Sequence, residues 1–133
     1  MAASVVLDSE PLSRIALQDP AWLTTFEALM LVRATLIVPS VILAEVMTGK
    51  ASDAAIWRVV NQLTTVDVNT RIAGRAGAIR EKAQGARAKK RDLSVDAMVA
   101  ATAENANASM LITCDVNDMT LLTADSGIRV VGL

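Results

Sequence analysis

Five carboxylates occupy positions from which they could act together: Asp8, Glu45, Asp96, Asp115 and Asp118. Asp8 closes the short β-branched run Ser4-Val5-Val6-Leu7, and Asp115 follows the apolar run Met110-Leu111-Ile112-Thr113 after a single residue. Glu45 sits in an apolar helical stretch, Asp96 in the first turn of an alanine-rich helix, and Asp118 lies shortly beyond Asp115. The chain has no histidine, so the usual general base and the commonest zinc ligand are both missing. Any catalysis must use carboxylates, amines, hydroxyls or the single thiol. Carboxylates packed together repel and raise one another's pKa, so such a group is stable in ionised form only around a cation. Hard oxygen donors select Mg²⁺ or Mn²⁺. An ion of this kind keeps some of its waters, can activate one as hydroxide and can polarise a phosphodiester, which gives a histidine-free route to phosphoester hydrolysis.

Taken singly, most of these acids have an ordinary explanation, since Asp after a strand is common turn chemistry and Asp in a first helical turn is common capping. Glu45 differs. Leu43, Ala44, Val46 and Met47 surround it in the sequence, and a carboxylate buried there without a partner would be costly. Two other motifs are rejected. Gly49-Lys50 suggests a phosphate loop, but Ala44 and Ala51 stand where that loop needs Gly and Ser or Thr. Cys114 beside Asp115 lacks a histidine partner and reads as a buried small hydrophobe rather than a nucleophile. Met47, Met98, Met110 and Met119 read as core or groove packing.

The acids must be positioned by the elements around them. Ser4 to Leu7 is expected to be a buried first strand, followed at Ser9-Glu10-Pro11 by turn and helix-start chemistry. Pro20 opens an amphipathic helix to about Val32, and Thr35 to Val38 is a second strand stopped by Pro39. Ser40 is expected to cap a helix that ends at Gly49. Helical periodicity returns from Asp53 to Leu63. A short strand is expected at Thr65 to Val68 and a basic helix from Thr70 to about Ala88, which Gly85 could end early. Ser94 is expected to cap a helix from Val95 to about Ala106. A strand at Met110 to Thr113, a short helix from Asn117 to about Thr123 and a last strand at Ile128 to Val131 complete a β/α alternation. That order predicts an α/β fold whose mainly parallel sheet carries helices on both faces. Ligands bind such sheets at the carboxyl ends of the strands, where Asp8 and Asp115 fall.

The length of 133 residues and an apolar content of 53% suit one continuous core, so a single domain spanning residues 1–133 is expected. The start has no basic leader, and every longer apolar segment is interrupted by charge. A soluble, cytoplasmic protein with no membrane contact is therefore expected, and one cysteine fits a reducing compartment. The net charge is −1, yet eight of the 13 Lys and Arg residues lie between Arg71 and Arg91. This segment either meets RNA phosphates or forms a solvated helix face, with Lys89, Lys90 and Arg91 the favoured RNA contacts because they lie close to Asp96. With only Trp22, Phe26 and Trp57 as aromatics, base stacking is not the main source of RNA affinity.

Four segments in order resemble the PIN-domain ribonucleases, specifically the VapC toxins of bacterial and archaeal toxin–antitoxin pairs. They are Val5-Val6-Leu7-Asp8-Ser9, Val38-Pro39-Ser40-Val41-Ile42-Leu43-Ala44-Glu45-Val46, Val95 to Ala103 around Asp96, and Leu111-Ile112-Thr113-Cys114-Asp115-Val116-Asn117-Asp118-Met119. The resemblance covers nearly the whole chain. It implies a three-layer α/β/α fold and a Mg²⁺- or Mn²⁺-dependent endoribonuclease toxin that cuts a structured cellular RNA. Asp8, Glu45, Asp96 and Asp115 are implied as catalytic, metal-site acids. Asp118 is implied as a further ligand and Thr113 as a hydroxyl supporting the acids. It also implies a homodimer and a cognate, VapB-like antitoxin lying in the active-site groove. Glu10-Pro11 departs from the family pattern; the extra carboxylate could bind metal, repel RNA or, as favoured here, face solvent. Two other readings stay open: a non-catalytic dimeric binding module of the same fold, and a Mg²⁺-dependent phospho-acceptor signalling domain. The second usually needs a lysine near the end of the sheet, and none follows Lys90.

Overall fold

The computed structural model describes residues 3–85 and 92–132. Five strands, β1 (Ser4–Leu7), β2 (Thr35–Pro39), β3 (Thr64–Val66), β4 (Met110–Ile112) and β5 (Arg129–Val131), form one sheet in the order β3-β2-β1-β4-β5. Every pairing is parallel, with Val6 opposite Ile37 on one side and Leu111 on the other. Val5, Val6 and Leu7 are all buried, which is why the central strand reads as a continuous apolar run rather than an alternation.

Among the described residues, seven α-helices connect the strands: α1 (Ser9–Ala16), α2 (Pro20–Leu31), α3 (Ser40–Val46), α4 (Ala54–Val60), α5 (Thr70–Gly85), α6 (Ser94–Asn105) and α7 (Val116–Leu122). The chain winds outward from β1 to β3, then returns to the other side of β1 for β4 and β5. Right-handed crossovers wound in opposite directions from the centre put helices on both faces. One group has α1 packed on α2, α3 and α4; in the other, α6 packs on α5 and α7. The expected three-layer α/β/α arrangement is borne out. It also places a topological switch point between β1 and β4, where an open parallel sheet forms its natural crevice.

The element boundaries differ from expectation where capping was misjudged. The expected helix start at Ser9 to Pro11 is a complete two-turn helix, whose Pro11, Leu12, Ile15 and Ala16 are buried. Ser40 and Ser94 are each the first residue of their helices, not the caps, which are Pro39 and Leu93. Their hydroxyls have other partners: Ser40 Oγ accepts from the Val68 N–H at 3.0 Å, and Ser94 Oγ donates to Asp92 at 2.7 Å. Helix α3 ends at Val46 rather than Gly49, because Asp53 draws the following loop away. The Asp53 carboxylate accepts from the Thr48 N–H, the Thr48 hydroxyl and the Gly49 N–H at 2.7 to 3.0 Å. Gly49 there has φ +77°, a left-handed conformation suited to glycine. Met119 is fully buried, and Met47, Met98 and Met110 pack against the core, as expected.

Candidate metal centre

Asp8 stands where β1 becomes α1, at the switch point, and is 6% exposed. One carboxylate oxygen accepts from the Ser9 N–H at 2.8 Å and the other from the Thr113 hydroxyl at 2.8 Å. The same Thr113 oxygen accepts from the Asp115 N–H at 2.9 Å. A single buried hydroxyl therefore couples the turn after β1 to the turn after β4. Burial pushes the Asp8 carboxyl above its ordinary range, and the nearby charges of Asp115 and Glu10 add to this. The bonds from Thr113 and Ser9 oppose it.

Asp96 is in the first turn of α6, Asp115 is the residue preceding α7, and Asp118 is in the first turn of α7. Each offers a carboxylate oxygen, and these three oxygens lie within 4.8 Å of one another. Asp8, Ser9, Glu10, Glu45, Asp96, Cys114 and Asp115 line one open cavity of about 370 Å³ beside them. The cavity joins acids from four separate elements, as expected for Asp8, Glu45, Asp96 and Asp115. It also includes Ser9, which the sequence reading passed over although it directly follows Asp8. The N-terminal ends of α1, α6 and α7 converge on this rim. Their exposed N–H groups carry partial positive charge, which offsets part of the repulsion among the acids.

Two expectations about the site are corrected. Glu45 is exposed, not buried in an apolar helix; of the residues of α3 only Ile42 is buried, and Glu45 faces the cavity. A seven-residue helix covers too little of the sheet to bury both its faces. Cys114 is likewise exposed on the cavity wall. Partial desolvation of its sulfur by the cavity wall and the adjacent Glu10 carboxylate push the thiol pKa up, which disfavours the thiolate a nucleophile needs. Glu10 is exposed, as favoured, yet it also lines the cavity and is held by Arg14 at 3.0 Å.

Several side chains of the basic segment already have partners within the protein. Arg75 pairs with Glu104 at 3.2 Å, Arg80 donates to Ser94 Oγ at 3.0 Å, and Lys82 pairs with Asp125. Arg71 is exposed. Arg87, Lys89, Lys90 and Arg91 lie outside the described residues.

The donor set is all oxygen from Asp96, Asp115 and Asp118. The three oxygens lie within 4.8 Å of one another, and an all-oxygen set is what a hard divalent cation takes, so the residues present fit such an ion. The profile of the PIN domain matches residues 5–132. The chain belongs to the PIN domain family. Solved structures similar to this PIN domain include VapBC2 from Rickettsia felis bound to a DNA fragment from their promoter. That match has a TM-score of 0.77 and 14% identity, over 98% of each chain. DNA-bound VapBC from Salmonella typhimurium gives 0.72 and 19%, over 99% of this chain and 98% of that one. A toxin–antitoxin complex from Klebsiella pneumoniae gives 0.66 and 20%, over 86% and 88%. No curated protein is significantly similar in sequence. The fold inferred from the resemblance is thus confirmed by the family match and these structural likenesses. Among the described residues, no helix is long and apolar enough to cross a membrane.

Proposed function

We propose that this PIN domain is a divalent-metal-dependent endoribonuclease toxin, restrained by a cognate antitoxin. The observation that carries this reading is the convergence of Asp96, Asp115 and Asp118 oxygens within 4.8 Å at the switch point. Asp8 and Glu45 line the cavity beside them. Asp96, Asp115 and Asp118 would hold Mg²⁺ or Mn²⁺, with Asp8 as the buried acid that fixes the rim through Thr113. When bound, such an ion polarises a phosphodiester and lowers the pKa of water at its surface. Glu45, an exposed residue of the cavity lining, would take up a proton released into the cavity. The cavity is open, so a polymer backbone can cross it without threading. The substrate class is RNA, with Lys89, Lys90 and Arg91 as candidate phosphate contacts. Together the whole chain acts as one nuclease domain.

An antitoxin partner and a homodimer are part of the same reading. The similar folds include VapBC assemblies and a toxin–antitoxin complex. Leu17, Leu31 and Val32 of this chain are 77%, 83% and 71% exposed; apolar surface left so open is consistent with a protein partner.

The test is cleavage of total cellular RNA by the purified protein with Mg²⁺, Mn²⁺ or EDTA, beside the Asp96→Asn variant. Discrete products are expected from the wild type, lost with EDTA and reduced on the order of a hundredfold in Asp96→Asn. Equal behaviour of the two proteins, both folded, would point instead to a binding module of the same fold.

A further inference from the structure

Among the described residues, Gly132 is the one glycine at which a side chain would meet close neighbours. A Cβ there would stand 2.8 Å from Val116 Cγ2 and 3.3 Å from the Thr113 carbonyl oxygen. The residue before it is tied to the same turn, since the Thr113 N–H donates to the Val131 carbonyl at 3.0 Å. Thr113 and Val116 bracket Asp115, and Val116 opens α7, which carries Asp118. The end of the edge strand is thus seated against the back of the turn that presents two of the three clustered acids.

We infer that Gly132 is a positioning residue: its bare Cα lets the end of the chain's last strand brace the Thr113–Val116 turn, and so sets where the Asp115 and Asp118 carboxylates stand. Val116 Cγ2 is a branch-point methyl on the first residue of α7, so clearing it means turning the Val116 side chain or moving the start of the helix. The Thr113 carbonyl is backbone, and the N–H of the same residue is tied to Val131. A methyl group at position 132 therefore pushes on the start of α7. It also disturbs the Thr113 hydroxyl, through which Asp8 and Asp115 are coupled. The metal consequence rests on the function proposed above; the geometric one does not.

The test compares wild type, Gly132→Ala, Val116→Ala and the double variant by Mn²⁺ titration followed by electron paramagnetic resonance, and by amide NMR without metal. Gly132→Ala should bind Mn²⁺ roughly fivefold more weakly, equivalent to about 1 kcal/mol. Its Asp115 and Asp118 amide resonances should shift. Val116→Ala should resemble the wild type, and the double variant should recover most of the affinity and the wild-type amide positions, because the colliding methyl is gone. Wild-type affinity in folded Gly132→Ala, or a double variant no better than Gly132→Ala, would overturn the inference. If the wild type itself takes up no Mn²⁺, the proposed metal function fails and the amides decide: an unmoved Asp115 amide in Gly132→Ala overturns the positioning role, and a shift reversed in the double variant upholds it. Should Gly132→Ala not fold, recovery of the folded spectrum in the double variant supports the inference, and failure to recover it counts against it.

Discussion

Thr113 makes the smallest connection on which the site depends. Its buried hydroxyl donates to Asp8 and accepts from the Asp115 N–H, so one oxygen satisfies two polar groups from adjacent strand ends. Replacing it with valine keeps the shape but removes both bonds. Leaving a buried carboxylate and an N–H short of partners costs about 1–3 kcal/mol. Thr113→Val is therefore expected to lose stability of that order in urea denaturation and to weaken divalent-ion binding as well. Unchanged stability and unchanged binding would show that the bridge does not couple the two turns. The sequence pointed to this threonine only through its resemblance to a family, since nothing in a lone Thr after a strand reveals what its hydroxyl reaches. Of the two grounds for Glu45, its apolar neighbours and the family resemblance, the structure corrects the first. Its apolar neighbours in the chain suggested burial, whereas the short α3 turns the carboxylate outward into the cavity.

At the scale of elements, the strands were the most legible part. Ser4–Leu7 was read to the residue, because a buried parallel strand must be an unbroken apolar run between turn residues. The helix ends were less so, since side chains from distant positions decide them. Asp53 shows this most clearly, fastening the loop after α3 through Thr48 and Gly49. Burial alone would raise the Asp53 pKa, but those bonds hold it below its ordinary value of 3.8. A carboxylate whose folded-state pKa is depressed adds stability above its unfolded pKa, and this is lost as pH falls through the folded value. Asp92 and Asp125 are also depressed, by Ser94 and Lys82 respectively, and remain in any Asp53 variant. Melting temperatures of wild type and Asp53→Asn, followed from about pH 5 to about pH 2, should therefore converge as the wild type loses the contribution of this one group. Parallel curves would mean that the clamp does not depend on the charge of Asp53.

Across the whole molecule, the winding of the chain explains why acids so far apart in sequence meet. Strands β1 and β4 are neighbours only because the chain returns past its starting point, so the turns bearing Asp8 and Asp115 share one rim, and α6 brings Asp96 to it. Alternating β/α order predicted a parallel sheet, but not which strands would be neighbours; the convergence followed from family resemblance and the general rule about strand ends. The proposed function stands on this rim being a divalent-metal site. The most direct measurement is a crystal grown with Mn²⁺ and examined for anomalous scattering. A peak is expected among the carboxylates of Asp96, Asp115 and Asp118, at about 2.0–2.3 Å from their oxygens, absent in Asp115→Asn. A wild-type crystal with full Mn²⁺ in the solution and no peak on this rim would contradict it.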